Sequence, residues 1–205
     1  MTSSDLPKPV LIKLEHAFFA RPAHELAPDL IGKILVRTLR GTPVRARIVE
    51  TEAYVGTHDL ASHASKGLTG RTKIMYGLAG RAYVYLIYGM YDMFNIVAAG
   101  LDDPQAVLIR AAEPLDGWEV DLAGPGKLAR SLEITRALNG IDLTSDDLYL
   151  MANSADRPTV VATPRIGIDY AQDWKDQLLR FVDVNSPALS NRKGLPSARG
   201  RVRGA

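Results

Sequence analysis

The sequence predicts a single domain of mixed α/β (α+β) class with a protruding β-hairpin. The 205 residues, 46% hydrophobic and 23% charged, fit one soluble domain with a sizeable core. Runs of β-branched and aromatic residues recur along the chain, and only a few segments have helical spacing. The hairpin is read from Tyr83 to Asn95, Y-V-Y-L-I-Y-G-M-Y-D-M-F-N, two apolar aromatic runs around Gly89-Met90.

Residues 1–14 are polar and proline-containing and read as a loose lead-in. Residues 15–30 have helix-like spacing punctuated by Pro22 and Pro28, which predicts short helices. Strands are expected over 33–39 and 44–54, joined by the Gly41-Thr42-Pro43 turn. Residues 56–80 are rich in Gly, Thr, His and Lys and read as a long functional loop. In the hairpin, an odd loop of Tyr88-Gly89-Met90 pairs Ile87 with Tyr91 and Tyr83 with Asn95. Tyr83, Tyr85 and Asn95 then share one face, while Val84, Leu86, Phe94 and Ile96 enter the core. A strand follows over 105–112, then a helix from Gly124-Pro125-Gly126 through Leu138, stopped by Asn139-Gly140. Residues 145–150 read as a short helix, and 159–161, 165–168 and 179–184 as strands.

The chain has no cysteine, so disulfides, thiolate metal sites and cysteine nucleophiles are excluded. The N-terminus lacks a basic segment followed by an apolar core, and no apolar run spans a bilayer; a cytoplasmic protein, nucleoid-associated in a bacterium, is the expectation. Net charge is only +2, but it is segregated. His63–Ala82 holds four basic residues and no acid, and Val184 to the end holds five and no acid. Tyr83–Asp183 holds sixteen acids against eight bases. Segregation of this kind can give one face a positive potential.

Alternation along 44–54 puts Ile48, Glu50, Glu52 and Tyr54 on one face and Arg47, Val49, Thr51 and Ala53 on the other. Two carboxylates beside a tyrosine suit general-base work, unless Glu50 and Glu52 merely pair with Arg45, Arg47 or other cations. The hairpin tip is large and apolar where most tips are polar, the character of a wedge that parts stacked bases. The G-P-G-K-L run at 124–128, with Lys127, suits a phosphate or simply caps a helix. His58, Asp59 and His63 offer a metal-dependent hydrolase, the weakest of the alternatives because no third strong ligand lies near the two histidines. No metal or cofactor is expected.

Several motifs together carry a family likeness. R-I-V-E-T-E-A-Y at 47–54, A-S-H at 61–63, A-Y-V-Y-L-I-Y-G-M-Y at 82–91 with Asn95, V-L-I-R-A-A-E-P-L at 107–115, G-P-G-K-L at 124–128, P-R-I-G-I at 164–168 and L-R-F at 179–181 resemble the alkyladenine (3-methyladenine) DNA glycosylase family. The likeness runs over about residues 15–190, leaving 1–14 as lead-in and 191–205 as a basic tail. It implies one mixed α/β domain around a curved antiparallel sheet. It also implies a base excision repair enzyme that flips alkylated or deaminated purines from double-stranded DNA, cuts the N-glycosidic bond and leaves an abasic site; one copy suffices for this chemistry, and a monomer is expected. On the matching positions, Glu52 is the base that activates water and Arg110 lies near that water. Tyr54, His63, Tyr85 and Asn95 form the pocket, and Tyr88 enters the duplex. Thr69, Arg71, Gly89, Met90 and Lys127 are expected along the DNA backbone. The run L-T-G-R-T at 68–72 keeps Thr69 and Arg71 but lacks the family's usual proline, and Asp-Gln-Leu at 176–178 replaces a proline-containing lead into L-R-F. No matched pocket position is a lysine, which implies water as nucleophile and no strand-cleaving lyase. The alternative is a non-enzymatic binder of damaged or structured nucleic acid, which would keep Tyr88 and need no Glu52.

Overall fold

The computed structural model describes residues 10–193 and 195. A nine-stranded sheet, antiparallel in every pairing, organises the described residues. The strands are β1 (Leu11–Lys13), β2 (Ile34–Leu39), β3 (Thr42–Tyr54), β4 (Ala82–Ile87), β5 (Tyr91–Ala98), β6 (Gln105–Pro114), β7 (Leu148–Asn153), β8 (Val160–Thr163) and β9 (Arg180–Asp183). Their order is β1-β7-β2-β3-β6-β5-β4, with β9 paired to β3 beyond the end of β2 and β8 paired to β9. Three short helices, α1 (His16–Phe19), α2 (Ala23–Leu30) and α3 (Pro125–Ser131), cover one face. Phe19, Leu26, Leu30, Leu128 and Leu132 pack there against Leu35, Ile48, Val84, Phe94, Ile96, Val107 and Ile109 in the main core. Burying each such side chain stabilises the fold by about 1.5–3 kcal/mol.

The hairpin pairs as its odd loop predicts, Ile87 with Tyr91 and Tyr83 with Asn95. Val84, Phe94 and Ile96 are buried, whereas Leu86, expected in the core, is half-buried near the tip. At the tip both Tyr88 (φ +52°) and Gly89 (φ +70°) are left-handed, and the Met90 N–H donates to the Ile87 carbonyl at 3.1 Å.

Strict alternation along β3 fails at one place. The register with β6 shifts between Ile48 and Glu50 and again between Glu50 and Thr51. One extra residue on β3 is followed by one on β6, so the register after the pair of bulges equals the register before it. Ile48 therefore joins the main core instead of the face of Glu50, Glu52 and Tyr54. Thr51 and Ala53 turn toward α2 and the core, and Val49 packs oppositely with Ala111 and Val182.

Other local expectations are corrected. Leu11–Lys13 pair with β7, so this part of the lead-in is a strand; residues 1–9 lie outside those described. Pro28 sits inside α2 instead of bounding it. Helix α3 ends at Ser131 because Glu133 adopts φ +49° and the Ile134 N–H reaches back to the Ala129 carbonyl. That turn buries both Leu132 and Ile134, and the remaining predicted stretch is a 3-10 helix, Arg136–Leu138. Residues 145–150, expected as a helix, enter β7 because Leu148 and Leu150 alternate into the core. Residues 165–168 form no strand; Gly167 is left-handed (φ +76°) and breaks any ladder there. No helix among the described residues is long and apolar enough to cross a membrane.

Candidate active site

The sheet face opposite the main core carries a cavity of about 170 Å³. Its floor comes from Tyr83, Tyr85, Asn95 and Leu108 on β4, β5 and β6, with Tyr54 and Arg110 at one end. The loop over 56–80 supplies His63 and Met75, and the irregular segment after β8 supplies Ile166 and Tyr170. Tyr54, His63, Tyr85, Asn95 and Arg110, chosen from sequence, thus converge on one space.

Aromatic rings dominate the walls. His63 meets the Tyr85 ring edge-on at 4.5 Å, and its Nδ1 lies 2.9 Å from the Tyr83 hydroxyl. Burial, and then the positive charge of Arg71, pulls His63 down to about 4, so the ring is neutral at neutral pH. Burial pushes the Tyr83 hydroxyl up to about 12 and raises Tyr85 further; neighbouring Tyr83 adds to the latter. Asn95 donates through Nδ2 to the Tyr83 and Met93 carbonyls. That arrangement turns its Oδ1, an acceptor, away from those carbonyls toward the cavity it lines.

Behind the Tyr54–Arg110 end lie two fully buried carboxylates. Glu52 does not line the cavity itself. It accepts from three residues that do: the Tyr54 hydroxyl (3.0 Å) and Arg110 Nη1 (3.2 Å) on Oε2, and the Ile166 N–H (2.8 Å) on Oε1. Burial, and then the Glu52 charge, raises Tyr54 well above the usual tyrosine range, so its hydroxyl stays a donor. Glu50 is differently placed. It accepts from Arg110 Nε (3.1 Å), Arg180 Nε (2.7 Å), Ser190 Oγ (2.7 Å) and the Ser190 N–H (2.7 Å). An ionised carboxylate offers roughly four acceptor sites. Among the described residues Glu50 has four donors, three of them on Oε1, and Glu52 has three, with a single donor on Oε1. Both glutamates are paired, but with Arg110 and Arg180; Arg45 binds Asp116, and Arg47 binds Glu113, Asp156 and Asp183. For Arg110 burial opposes the charge, but Glu52 and Glu50 outweigh it and raise its pKa. Glu50 and Arg110 come from adjacent strands at the paired bulges, where Glu50 stands opposite Ala111.

The tip stands beyond Ile87, which lines the cavity; Tyr88 is 83% exposed and Met90 69%. Thr69 and Arg71 are exposed. Thr69 exchanges hydrogen bonds with Thr72, and Arg71 lies over the Tyr85 ring at 4.9 Å and donates to the Leu86 carbonyl. Lys127 is paired with Asp121 at 2.7 Å, and the Lys127 hydrogen bond holds that carboxyl below the usual range. Gly126 is explained by packing: a Cβ there would sit 3.1 Å from the Tyr91 ring. The metal alternative finds no support in the geometry. His58 packs on Trp174, Asp59 is committed to Arg165, and no group of three or more metal-ligating side chains occurs among the described residues.

Sequence reasoning missed Arg180, Ser190 and Ile166. The first two sit far along the chain from Glu50, and the third acts through a backbone amide, which leaves no mark on residue type. Of the basic tail, Arg192 donates to the Ser186 and Val184 carbonyls, while Arg199, Arg201 and Arg203 lie outside the described residues.

Residues 17–187 match the family model described as Methylpurine-DNA glycosylase (MPG). A protein of Methanocella arvoryzae is 49% identical over 193 residues, covering 87% of this chain and 96% of that protein. One of Legionella pneumophila (strain Corby) is 46% identical over 179 residues, covering 87% and 98%. One of Anaeromyxobacter sp. (strain Fw109-5) is 45% identical over 194 residues, covering 94% and 100%. Each of the three is provisionally named 3-methyladenine DNA glycosylase.

Proposed function

Because the chain belongs to the methylpurine-DNA glycosylase family, we propose that it excises alkylated or deaminated purines from duplex DNA by hydrolysing the N-glycosidic bond. One observation carries the mechanism: Glu52 is a buried carboxylate tied by three hydrogen bonds to the wall of an aromatic cavity.

A base inside a duplex is out of reach, so the nucleotide is extruded at a cost of a few kcal/mol. Tyr54, His63 and Tyr85 stack around the extruded base, and a cationic purine gains about 1–2 kcal/mol from the desolvated rings. Asn95 Oδ1 meets its edge. Tyr88 fills the gap in the duplex. A bulky side chain in the left-handed region is strained by roughly 1–3 kcal/mol, so the tip carries a tyrosine where glycine or asparagine would fold more easily. Water held between Glu52 and Arg110 attacks C1′. Its oxygen bonds to C1′ as the bond to the purine nitrogen breaks, the electron pair leaves with the base, and the water's proton passes to Glu52; a cationic alkylated purine leaves neutral, and a deaminated purine leaves as an anion that takes a proton from solvent. The products are free base and an abasic sugar. No lysine among the described residues lines the cavity, which supports water as the nucleophile and argues against a Schiff-base lyase step. Thr69, Arg71, Gly89, Met90 and Lys127 border the path of the DNA backbone in this reading. One copy of the chain suffices.

The test is a single-turnover assay on duplexes bearing one hypoxanthine or ethenoadenine, and on methylated bulk DNA. Base release with alkali-labile sites and no spontaneous strand cleavage is expected. In Glu52→Gln, release should fall about 10²–10⁴-fold while lesion binding persists. Tight lesion binding without release by the wild-type chain would point to a non-enzymatic binder.

A further inference from the structure

Asp59 and Arg165 form a fully buried ion pair that the mechanism above does not use. Arg165 donates through Nη1 to Asp59 Oδ2 (2.6 Å) and through Nη2 to Asp59 Oδ1 (2.8 Å). Its Nη1 also donates to the Ala53 carbonyl at 2.9 Å. The Asp59 carboxylate takes two more donors, the N–H groups of Val55 and Ala61. With four donors it is saturated, and it fixes the chain on both sides of the turn that leads to His63.

Two further contacts tie the pair to the site. The Arg165 guanidinium lies over the Tyr54 ring, 4.8 Å from its centroid. The residue that follows, Ile166, gives its N–H to Glu52. Tyr54 and Ile166 supply two of the three hydrogen bonds on Glu52, the third being that of Arg110. Both depend on where Arg165 is held, one through its face and one through its backbone. Arg165 Nε is buried with no partner among the described residues. A buried ion pair kept only for stability is replaceable by apolar residues at little cost. An orphaned donor makes this pair a still poorer stabiliser, whereas a planar cation under a tyrosine is a geometry that lysine or methionine cannot copy.

We infer that Asp59–Arg165 is a positioning pair for base release: it sets the Tyr54 hydroxyl and the Ile166 N–H, and thereby aims Glu52. This rests on the reaction proposed above. Neither side chain touches the base.

The test uses Arg165→Lys, Asp59→Asn and the double variant Asp59→Leu/Arg165→Met, each checked for a cooperative thermal transition. The double variant removes both charges together, so no unpaired buried ion remains. Single-turnover release and the Kd for a lesion duplex are then measured. Release is expected to fall about 10–100-fold in every folded variant, because a displacement near 1 Å costs a reacting group that much. Kd should change less than about threefold, since most affinity comes from the phosphate backbone. Arg165→Lys, which keeps the charge, should retain the most activity. Folded variants that release base at the wild-type rate, or lose affinity and rate in equal measure, overturn the proposal. So does failure of all three to fold, which would make the pair a requirement of stability. If the wild-type chain releases no base while binding lesions, the reaction itself falls, and this inference with it.

Discussion

His63 and Glu50 show how single residues divide between chemistry and stability. The folded value of about 4 for His63 lies below the ordinary histidine value near 6.5. The unfolded chain therefore binds the extra proton first, and stability is full above about pH 6.5 and lost as pH falls toward 4. We expect a loss of roughly 1–2 kcal/mol over that window, allowing for the ring's partial exposure. A series of thermal melts against pH checks this, and His63→Gln should flatten the curve. Glu50 is the second residue-scale case. Its four donors tie it to Arg110, Arg180 and Ser190, so Glu50→Gln should act through the placement of those residues. A melting temperature lowered by several degrees, with release reduced less than in Glu52→Gln, is the expected pattern. Two glutamates two residues apart look alike in sequence; their donor counts, drawn from residues as distant as Ser190, separate them.

At the scale of elements, the hairpin was the most legible part of the chain. Its pairing follows from parity: an odd loop alone puts Tyr83, Tyr85 and Asn95 on one face, and that face became the cavity floor. Helix α3 was less legible because its stop is Glu133 in a left-handed conformation, where glycine is the usual signal. Residues 165–168 have strand-like composition, yet they cross the site as an irregular segment. Their partners are Asp59 and Glu52, more than a hundred residues away. The hairpin also carries its own prediction. Tyr88→Ala should slow release from duplex DNA at least tenfold more than from single strands carrying the same lesion. Equal losses on both substrates would remove the wedge from the mechanism and leave the cavity chemistry untouched.

For the whole molecule, composition indicated one mixed domain, but strand order was beyond its reach. The placement of β9 and β7 depends on long-range pairing that no local pattern records. Charge is the other whole-molecule property. Most described arginines near the site are committed to carboxylates, so we expect the exposed loop over 56–80 to contribute to DNA affinity. Lys66 and Lys73 are exposed there and make no ion pair among the described residues. Replacing either by alanine should reduce the slope of log K against log salt by about 1, measured by titration at several salt concentrations. The paired bulges of β3 and β6 bear on the molecule as a whole in another way. They amount to matched insertions that cancel: pairing sums to the same register at Ile48–Ala112 and at Thr51–Ile109. A chain shorter by one residue in each strand would zip into an unbroken ladder and keep its fold. Removing Val49 and Ala111 would leave Glu50 and Arg110 as direct cross-strand neighbours on that same register. What the insertions supply is the outward step of Val49 and Ala111, which pack with Val182 and Leu189 and so seat Ser190 against Glu50; deletion is expected to loosen that anchor while the ladder stays paired.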